Sequence, residues 1–250
     1  GSAFGRAPVA AHAVGDALRE VGLGSALAQR LGDLGVVLGV GVVAAQALAA
    51  AEAKPAPRAL IAAARVHGVP AHADDEVLSI GEGVAAQAWP LDALPGIEAV
   101  PWSRLHAIPK AVVTGSNGKT TTVRLLAAML RAHGLHAGYS STDGLFIDGE
   151  RVEAGDYSGP VGARTVLRDA RVDAAVLETA RGGLLRRGLV ASEARVAVVT
   201  NISPDHFGEY GIHDLDALAD AKLTVARALD ADGVLVLNAD DPRLAARGEV

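Results

Sequence analysis

The sequence contains no cysteine and very few aromatic residues, and both absences narrow what the protein can be. Without cysteine there is no disulfide framework, cysteine-ligated zinc site, iron–sulfur cluster or thiol nucleophile. Aromatic residues make up only 3% of the 250 residues, so we expect a core built mainly from Ala, Val and Leu. The absence of cysteine is compatible with a reducing compartment, and we predict a cytoplasmic location.

Positive charge is also scarce. The chain carries 23 Lys and Arg against 29 Asp and Glu, a formal charge of -6, and it has no basic run. Affinity for nucleic acid of any sequence comes from neutralising phosphates, so we expect no nucleic-acid partner. Hydrophobic residues make up 50% and charged residues 21% of the chain, the balance of a folded globular protein.

The sequence shows no secretory signal and no convincing membrane span. It opens at Gly1 without a starting Met, and no basic stretch followed by an apolar one is present. The longest uncharged stretch, 34–51, reaches the lower length limit for a spanning helix. It is mostly Gly, Ala and Val, contains Gln46 and is followed by Pro55, so we interpret it as buried structure and expect no membrane association.

The character of the chain changes near residue 107. Residues 1–107 are rich in alanine, with helical patterns at 9–20 and 58–67 and a short strand pattern at 77–81. We expect a smaller α/β N-terminal domain there, and substrate binding is the candidate role for it. Its histidines, His12, His67 and His72, we interpret as ordinary surface or core residues.

After residue 107, apolar strand patterns alternate with helical patterns. The predicted strands cover 111–114, 174–177, 196–199 and 234–237, and the predicted helices cover 119–133 and 214–229. Apolar strands separated by helices predict an α/β fold with a mostly parallel sheet and helices on both faces.

The strongest motif is Thr114-Gly115-Ser116-Asn117-Gly118-Lys119-Thr120-Thr121-Thr122, between a predicted strand and a predicted helix. Such a glycine-rich turn offers backbone amides and a helix N-terminus to phosphate, while a Lys and a Thr bind terminal phosphates and Mg²⁺. The spacing departs from the usual P-loop, since Val113 stands where the first glycine would be. We predict that the following helix buries Val123, Leu126, Met129 and Leu130.

Polar residues follow the other predicted strands at their carboxyl ends. They are Glu178, Asn201 with Asp205 and His206, and Asn238 with Asp240 and Asp241. Ligands bind at this edge of open parallel sheets, so Glu178 and His206 are candidate ligands for divalent ions. Taken singly, Glu178 is also compatible with a helix cap, His206 with a loop histidine and Lys222 with a solvated helix lysine.

These residues together resemble the ATP-binding central domain of the Mur ligase superfamily over residues 108–250. The resemblance is greatest to the Mur-ligase-like half of cyanophycin synthetases. It is carried by the motifs 114–121, 142–149, 155–160, 177–186, 200–208 and 238–242, together with Lys222. It does not extend to residues 1–107, and we expect the central domain to be incomplete at its C-terminal end.

The resemblance implies roles for individual residues. Lys119 would bind the β- and γ-phosphates of ATP within the loop Gly115, Ser116, Asn117, Gly118, Thr120 and Thr121. Asn238 would contact adenine. Metal ligands would be Thr120, Glu178, His206 and a carbamylated Lys222 for a second Mg²⁺, with Lys119, Lys222 and His206 serving catalysis. An acidic substrate would contact Ser141, Thr142, Asp143, Arg181 and Arg186, although the two arginines and the turn 141–143 are equally compatible with an ordinary charged surface.

The implied activity is that of an ATP-dependent carboxylate–amine ligase. A substrate carboxylate would attack ATP to form an acyl phosphate and ADP, and the amine of an amino acid would then displace phosphate. Three alternatives remain at this point: a P-loop protein that binds nucleotide without ligation, a kinase, and a catalytically silent ligase fragment.

Overall fold

The computed structural model describes residues 55–180, 189–204 and 213–248. The chain divides into two compact units, 1–56 and 57–250. The predicted helix at 9–20, His12 and the uncharged stretch 34–51 lie outside the described residues. Among those described, no helix is both long and apolar enough to cross a bilayer.

A small antiparallel sheet precedes the main one. Helix α1 (Pro55–Val66) is followed by β1 (Ala71–Ala73), β2 (Val77–Ile80) and β3 (Gln87–Pro90), with β2 in the centre. Its core includes Leu60, Leu78 and Ile80. The predicted helix at 58–67 and strand at 77–81 are present, although the helix begins earlier, at Pro55, whose fixed φ suits a first helical turn.

The main sheet has seven strands. They are β4 (Lys110–Thr114), β5 (Ala137–Ser141), β6 (Gly144–Ile147), β7 (Glu150–Glu153), β8 (Ala174–Glu178), β9 (Ala194–Val199) and β10 (Leu229–Leu237). Their order is β10-β9-β4-β8-β5-β6-β7. Strands β10, β9, β4, β8 and β5 are parallel to one another, and β6 and β7 extend the sheet as antiparallel strands.

Helices cover both faces of this sheet, as predicted. They are α2 (Lys119–Ala132), α3 (Pro160–Arg168), α4 (Leu215–Leu223) and α5 (Pro242–Gly248). Side chains of β4 alternate between the two faces: Ala111 and Val113 pack with α2, whereas Val112 packs with the core that α3 and α4 cover. The predicted α/β fold with a mostly parallel sheet is confirmed.

Several details differ from the sequence-based prediction. The helix predicted at 214–229 is α-helical only over Leu215–Leu223 and tightens to a 3₁₀ helix over Thr224–Ala228, which leads directly into β10. Met129, predicted to be buried in α2, is 65% exposed, and Ala127 occupies the buried face instead. Residue 129 lies outside the stripe that 123, 127 and 130 form at helical spacing.

Polar contacts join the small sheet to the main one. Arg168 at the end of α3 donates to the backbone oxygens of His72 and Val77 and pairs with Asp74. Partial burial would raise the pKa of Asp74, but the Arg168 guanidinium and the amides of the following turn lower it to about 2. The domain boundary predicted near residue 107 stays a prediction.

Candidate nucleotide-binding site

The glycine-rich motif forms the turn between β4 and α2. Gly115 has φ +143°, and a Cβ there would lie 1.8 Å from Thr200 Oγ1. Gly118 has φ +81° and is the N-cap of α2. Both positions therefore require the conformational freedom of glycine, and the first also requires its small size.

A second loop, residues 200–203 after β9, braces this turn. The Ser116 amide donates to the Asn201 carbonyl (2.9 Å), and the Asn117 amide donates to Asn201 Oδ1 (3.0 Å). Asn201 Nδ2 returns a bond to the Asn117 carbonyl, and Ser203 bonds to both Ser116 and Asn117. Asn201 thus accepts hydrogen bonds from the amides of both Ser116 and Asn117.

The next four amides, those of residues 118–121, belong to the end of the turn and the first turn of α2. They make no hydrogen bond to other described residues, and the first helical bond of α2 is Thr122 N to Gly118 O. The free amides and dipole of a helix N-terminus favour phosphate. Because Asn201 takes the amides of Ser116 and Asn117, the amides left to bind an anion are those at the start of α2.

Lys119 and Thr120 lie in the first turn of α2. Lys119 Nζ donates to the Ser116 carbonyl (3.1 Å), so its ammonium group lies against the turn. Thr120 Oγ1 donates to Glu178 Oε2 (2.9 Å) and is 3.0 Å from Thr142 Oγ1. Thr121 is exposed in the same turn.

Glu178 is the last residue of β8 and is only 1% exposed. It is therefore a buried carboxylate at the end of a strand. Residues 181–188 lie outside the described residues, so the alternative of a helix cap stays open. Burial raises the pKa of Glu178, although the Thr120 hydrogen bond and the charge of Lys119 oppose that rise. Its Oε1 atom has no hydrogen-bond partner among the described residues.

An unsatisfied buried carboxylate oxygen beside a threonine hydroxyl suits a hard divalent cation, so these residues fit Mg²⁺. In the described part of the chain, no group of three or more histidine or acidic residues converges on a metal site. His206, the further predicted ligand, lies outside the described residues, as do Asp205, Arg181 and Arg186.

Lys222 is the largest of the fully buried side chains, 1% exposed. It lies in α4, and its Nζ donates to the Gly115 carbonyl at 2.9 Å. The interpretation of Lys222 as a solvated helix lysine is therefore wrong, and the structure brings it to the phosphate-binding turn.

The turn between β5 and β6 brings Ser141, Thr142 and Asp143 to the same edge. Ser141 is buried and its hydroxyl accepts a hydrogen bond from the Asp143 amide. Thr142 approaches Thr120, while Asp143 pairs with Arg124 of α2 at 2.7 Å. Of the predicted substrate residues, these three thus border the site.

Asn238 follows β10, is exposed, and its Oδ1 accepts a hydrogen bond from the Asp240 amide. Three contributors to the site were not assigned roles from the sequence: Thr200, Ser203 and Asp241. The available signal was a run of polar residues after a strand, which marks a loop but not the groups that it holds.

Comparison with known proteins agrees with the geometry. Residues 113–249 match the model of the Mur ligase middle domain family. The cyanophycin synthetase of Geminocystis herdmanii is 50% identical over 138 residues, covering 55% of this chain and 16% of that protein. The UDP-N-acetylmuramoylalanine--D-glutamate ligase of Chlorobium luteolum is 38% identical over 140 residues, covering 56% of this chain and 27% of that protein.

A solved UDP-N-acetylmuramoyl-L-alanyl-D-glutamate--2,6-diaminopimelate ligase is 27% identical, with a TM-score of 0.47, covering 57% of this chain and 29% of that one. The chain thus spans less than a third of each of these relatives. The family match begins at Val113 in β4, includes the braced turn, Glu178 and Lys222, and extends over more than half of the chain. The chain therefore belongs to the Mur ligase middle domain family.

Proposed function

We propose that residues 108–250 bind ATP with Mg²⁺ and form the phosphoryl-transfer site of a carboxylate–amine ligase. The observation that carries this proposal is the convergence at the start of α2. Four amides without a hydrogen bond to any described residue, the Lys119 ammonium group and the Thr120–Glu178 pair lie together there. This combination suits a nucleotide polyphosphate and its metal better than any uncharged ligand.

In this proposal the substrate carboxylate attacks the γ-phosphorus of ATP, and ADP leaves. The amine of an amino acid then attacks the acyl phosphate carbonyl, and inorganic phosphate leaves. Lys119 and the α2 amides would hold the phosphates and balance their growing charge. Mg²⁺ held by Thr120 and Glu178, and by His206 if it reaches the site, would supply further positive charge to the phosphates.

Other residues have subsidiary roles in the proposal. The turn Ser141–Asp143 would bind the acidic substrate, together with Arg181 and Arg186, and Asn238 would contact adenine. Carbamylation of Lys222 by CO₂ would convert it into an anion able to hold a second Mg²⁺. Its burial beside Gly115 supports this idea, since a carbamate there would lie next to the phosphate turn. NMR after incubation with ¹³C-bicarbonate tests this idea. We expect a carbamate carbon signal from the unaltered chain, lost when the label is removed, and no such signal from Lys222→Gln.

The central test compares Lys119→Ala with Arg131→Ala, an exposed residue at the far end of the same helix. Titration with Mg-ATP should show loss of binding only for Lys119→Ala, and turnover of an active form should fall about a hundredfold or more. Equal affinity of the two variants would contradict the phosphate-site assignment.

Product analysis separates ligation from the alternatives. A ligase should release ADP only when both a carboxylate acceptor and an amine are present. A nucleotide-binding switch would hydrolyse ATP slowly with neither, and a silent fragment would bind Mg-ATP without turnover.

A further inference from the structure

Asp241 is a buried carboxylate, 8% exposed, whose two oxygens serve different parts of the fold. Oδ1 accepts from the amides of Arg243 (3.0 Å) and Leu244 (3.3 Å) in the first turn of α5. Oδ2 accepts from the Ile202 amide at 2.6 Å. One side chain therefore joins the start of α5 to the loop 200–203.

Ile202 lies in the centre of the loop that braces the phosphate turn. On one side of it Asn201 bonds to the amides of Ser116 and Asn117, and on the other side Ser203 bonds to both of these residues. The position of this loop consequently fixes the turn, and Asp241 holds the loop at its midpoint.

The same residue also adjoins the proposed nucleoside contact, because the Asp241 amide donates to the Asn238 carbonyl at 3.2 Å. The turn after β10 and the phosphate turn after β4 are separated by β9 in the sheet. Asp241 and the loop 200–203 connect them by hydrogen bonds across that strand.

Capping a helix does not require this arrangement. Asn or Ser caps an N-terminus about as well as Asp, with one side-chain acceptor. Only a carboxylate, however, offers an acceptor in both directions at once, and a hydrogen bond to a charged acceptor in a buried site is stronger than a neutral one.

We propose that Asp241 is a positioning residue, which holds the phosphate turn in its nucleotide-binding position through Ile202 and the loop 200–203. This inference rests on the proposed function, in which the turn binds the phosphates of ATP. Asp241 itself touches no phosphate in this proposal and acts only through the loop.

The test uses Asp241→Asn and Asp241→Ser in the full chain, with Asp240→Asn as the matched control. Asp240 is exposed in the same turn. Both Asp241 variants retain an acceptor for α5 but leave the Ile202 amide without its carboxylate. Two quantities are measured for each: the Kd for Mg-ATP, and the hydrogen-exchange rates of the Ser116 and Asn117 amides.

We expect both Asp241 variants to bind Mg-ATP about tenfold more weakly and to exchange these two amides faster. Exchange in β8 should not change, which would exclude general destabilisation. Asp240→Asn should match the unaltered chain in both measurements. If the two Asp241 variants match the unaltered chain in Mg-ATP affinity or in amide exchange, the positioning role is overturned.

Lys119→Ala distinguishes this failure from failure of the proposed function. In Lys119→Ala the amides of Ser116 and Asn117 keep their bonds to Asn201. This variant should therefore lose affinity for Mg-ATP, whereas hydrogen exchange at these two amides should not become faster. If Lys119→Ala binds Mg-ATP normally, the phosphate-site assignment is wrong. If Lys119→Ala loses binding while the Asp241 variants match the unaltered chain in affinity or in exchange, only the positioning role is wrong.

Discussion

At the scale of single residues, Glu178 lowers the stability of the ligand-free fold and is a proposed ligand of Mg²⁺. Its carboxylate is buried, and one oxygen has no partner among the described residues. Such groups are retained at functional sites at the expense of stability. We therefore expect Glu178→Gln to stabilise the ligand-free chain at neutral pH by about 1 kcal/mol, raising Tm by a few degrees. Scanning calorimetry measures this change.

The pH dependence of that gain follows from the direction of the pKa shift. Because folding raises the pKa of Glu178, the charged form destabilises the fold, and the cost is fully present only above that raised pKa. The advantage of Glu178→Gln should shrink as the pH falls and vanish below the ordinary pKa of glutamate. The variant should also lose the Mg²⁺ dependence of ATP binding. A variant less stable than the unaltered chain at neutral pH would contradict this account.

The residue-level comparison with the sequence turns on Glu178 and Lys222. The place of Glu178 was predictable, because a polar residue directly after an apolar strand lies at the edge of the sheet where ligands bind. Burial of Lys222 was also encoded: Leu218, Ala219 and Lys222 are spaced at i, i+1 and i+4 on one face of α4. A charged residue on an apolar stripe is a signal for function, but spacing alone does not reveal the partner.

At the scale of elements, the β4–α2 connection depends on Gly115. A Cβ at this position would collide with Thr200 Oγ1, whose hydroxyl donates to the Asn117 carbonyl. We expect Gly115→Ala to destabilise the fold by more than about 2 kcal/mol and to abolish Mg-ATP binding, as measured by urea unfolding and titration.

Gly134, just after α2, provides the matched control. It also has a positive φ, +94°, but a Cβ there would meet nothing within 4 Å. Gly134→Ala should therefore cost only the backbone strain, about 1 kcal/mol, and leave nucleotide affinity unchanged. Equal losses for the two variants would show that backbone conformation alone, without the collision, accounts for the effect at Gly115.

Strands β5 and β7 were missed by the sequence analysis because neither has the apolar pattern from which the other strands were predicted. Apart from Tyr139, strand β5 consists of small or polar residues, yet it is fully buried because β8 and β6 flank it and helices α2 and α3 cover its faces. Strand β7 has no buried face, since all four of its residues are exposed at the sheet edge and only Val152 is apolar. The turn between β6 and β7 did carry a signal: Asp148-Gly149, with φ of 51° and 86°, is a typical hairpin sequence.

At the scale of the whole molecule, the question is whether the region before residue 107 folds together with the main sheet. Glu82 is completely buried; it bonds to His72 of β1 at 2.9 Å and to Lys110, the first residue of β4. Burial would raise the pKa of Glu82, but these two partners lower it overall. The sequence separates these three residues widely, so their convergence was not predictable from local patterns.

Lys110→Met should therefore destabilise the protein by about 3 kcal/mol, because it removes a partner from a carboxylate that remains buried. The double variant Glu82→Met with Lys110→Met should cost less than this single change, since no buried charge is left behind. The exposed Arg131→Met serves as the control. Urea unfolding measures all of these differences.

The same experiment tests cooperation across residue 107. The only two tryptophans of the chain, Trp89 and Trp102, are partly buried and pack against the core of the small sheet. Their fluorescence therefore reports on this region, whereas circular dichroism reports on all helices and strands. The two transitions should coincide in the unaltered chain, and in Lys110→Met the fluorescence change should come at lower urea. Coincident transitions in that variant would mean that the Arg168 contacts suffice to join the small sheet to the main one.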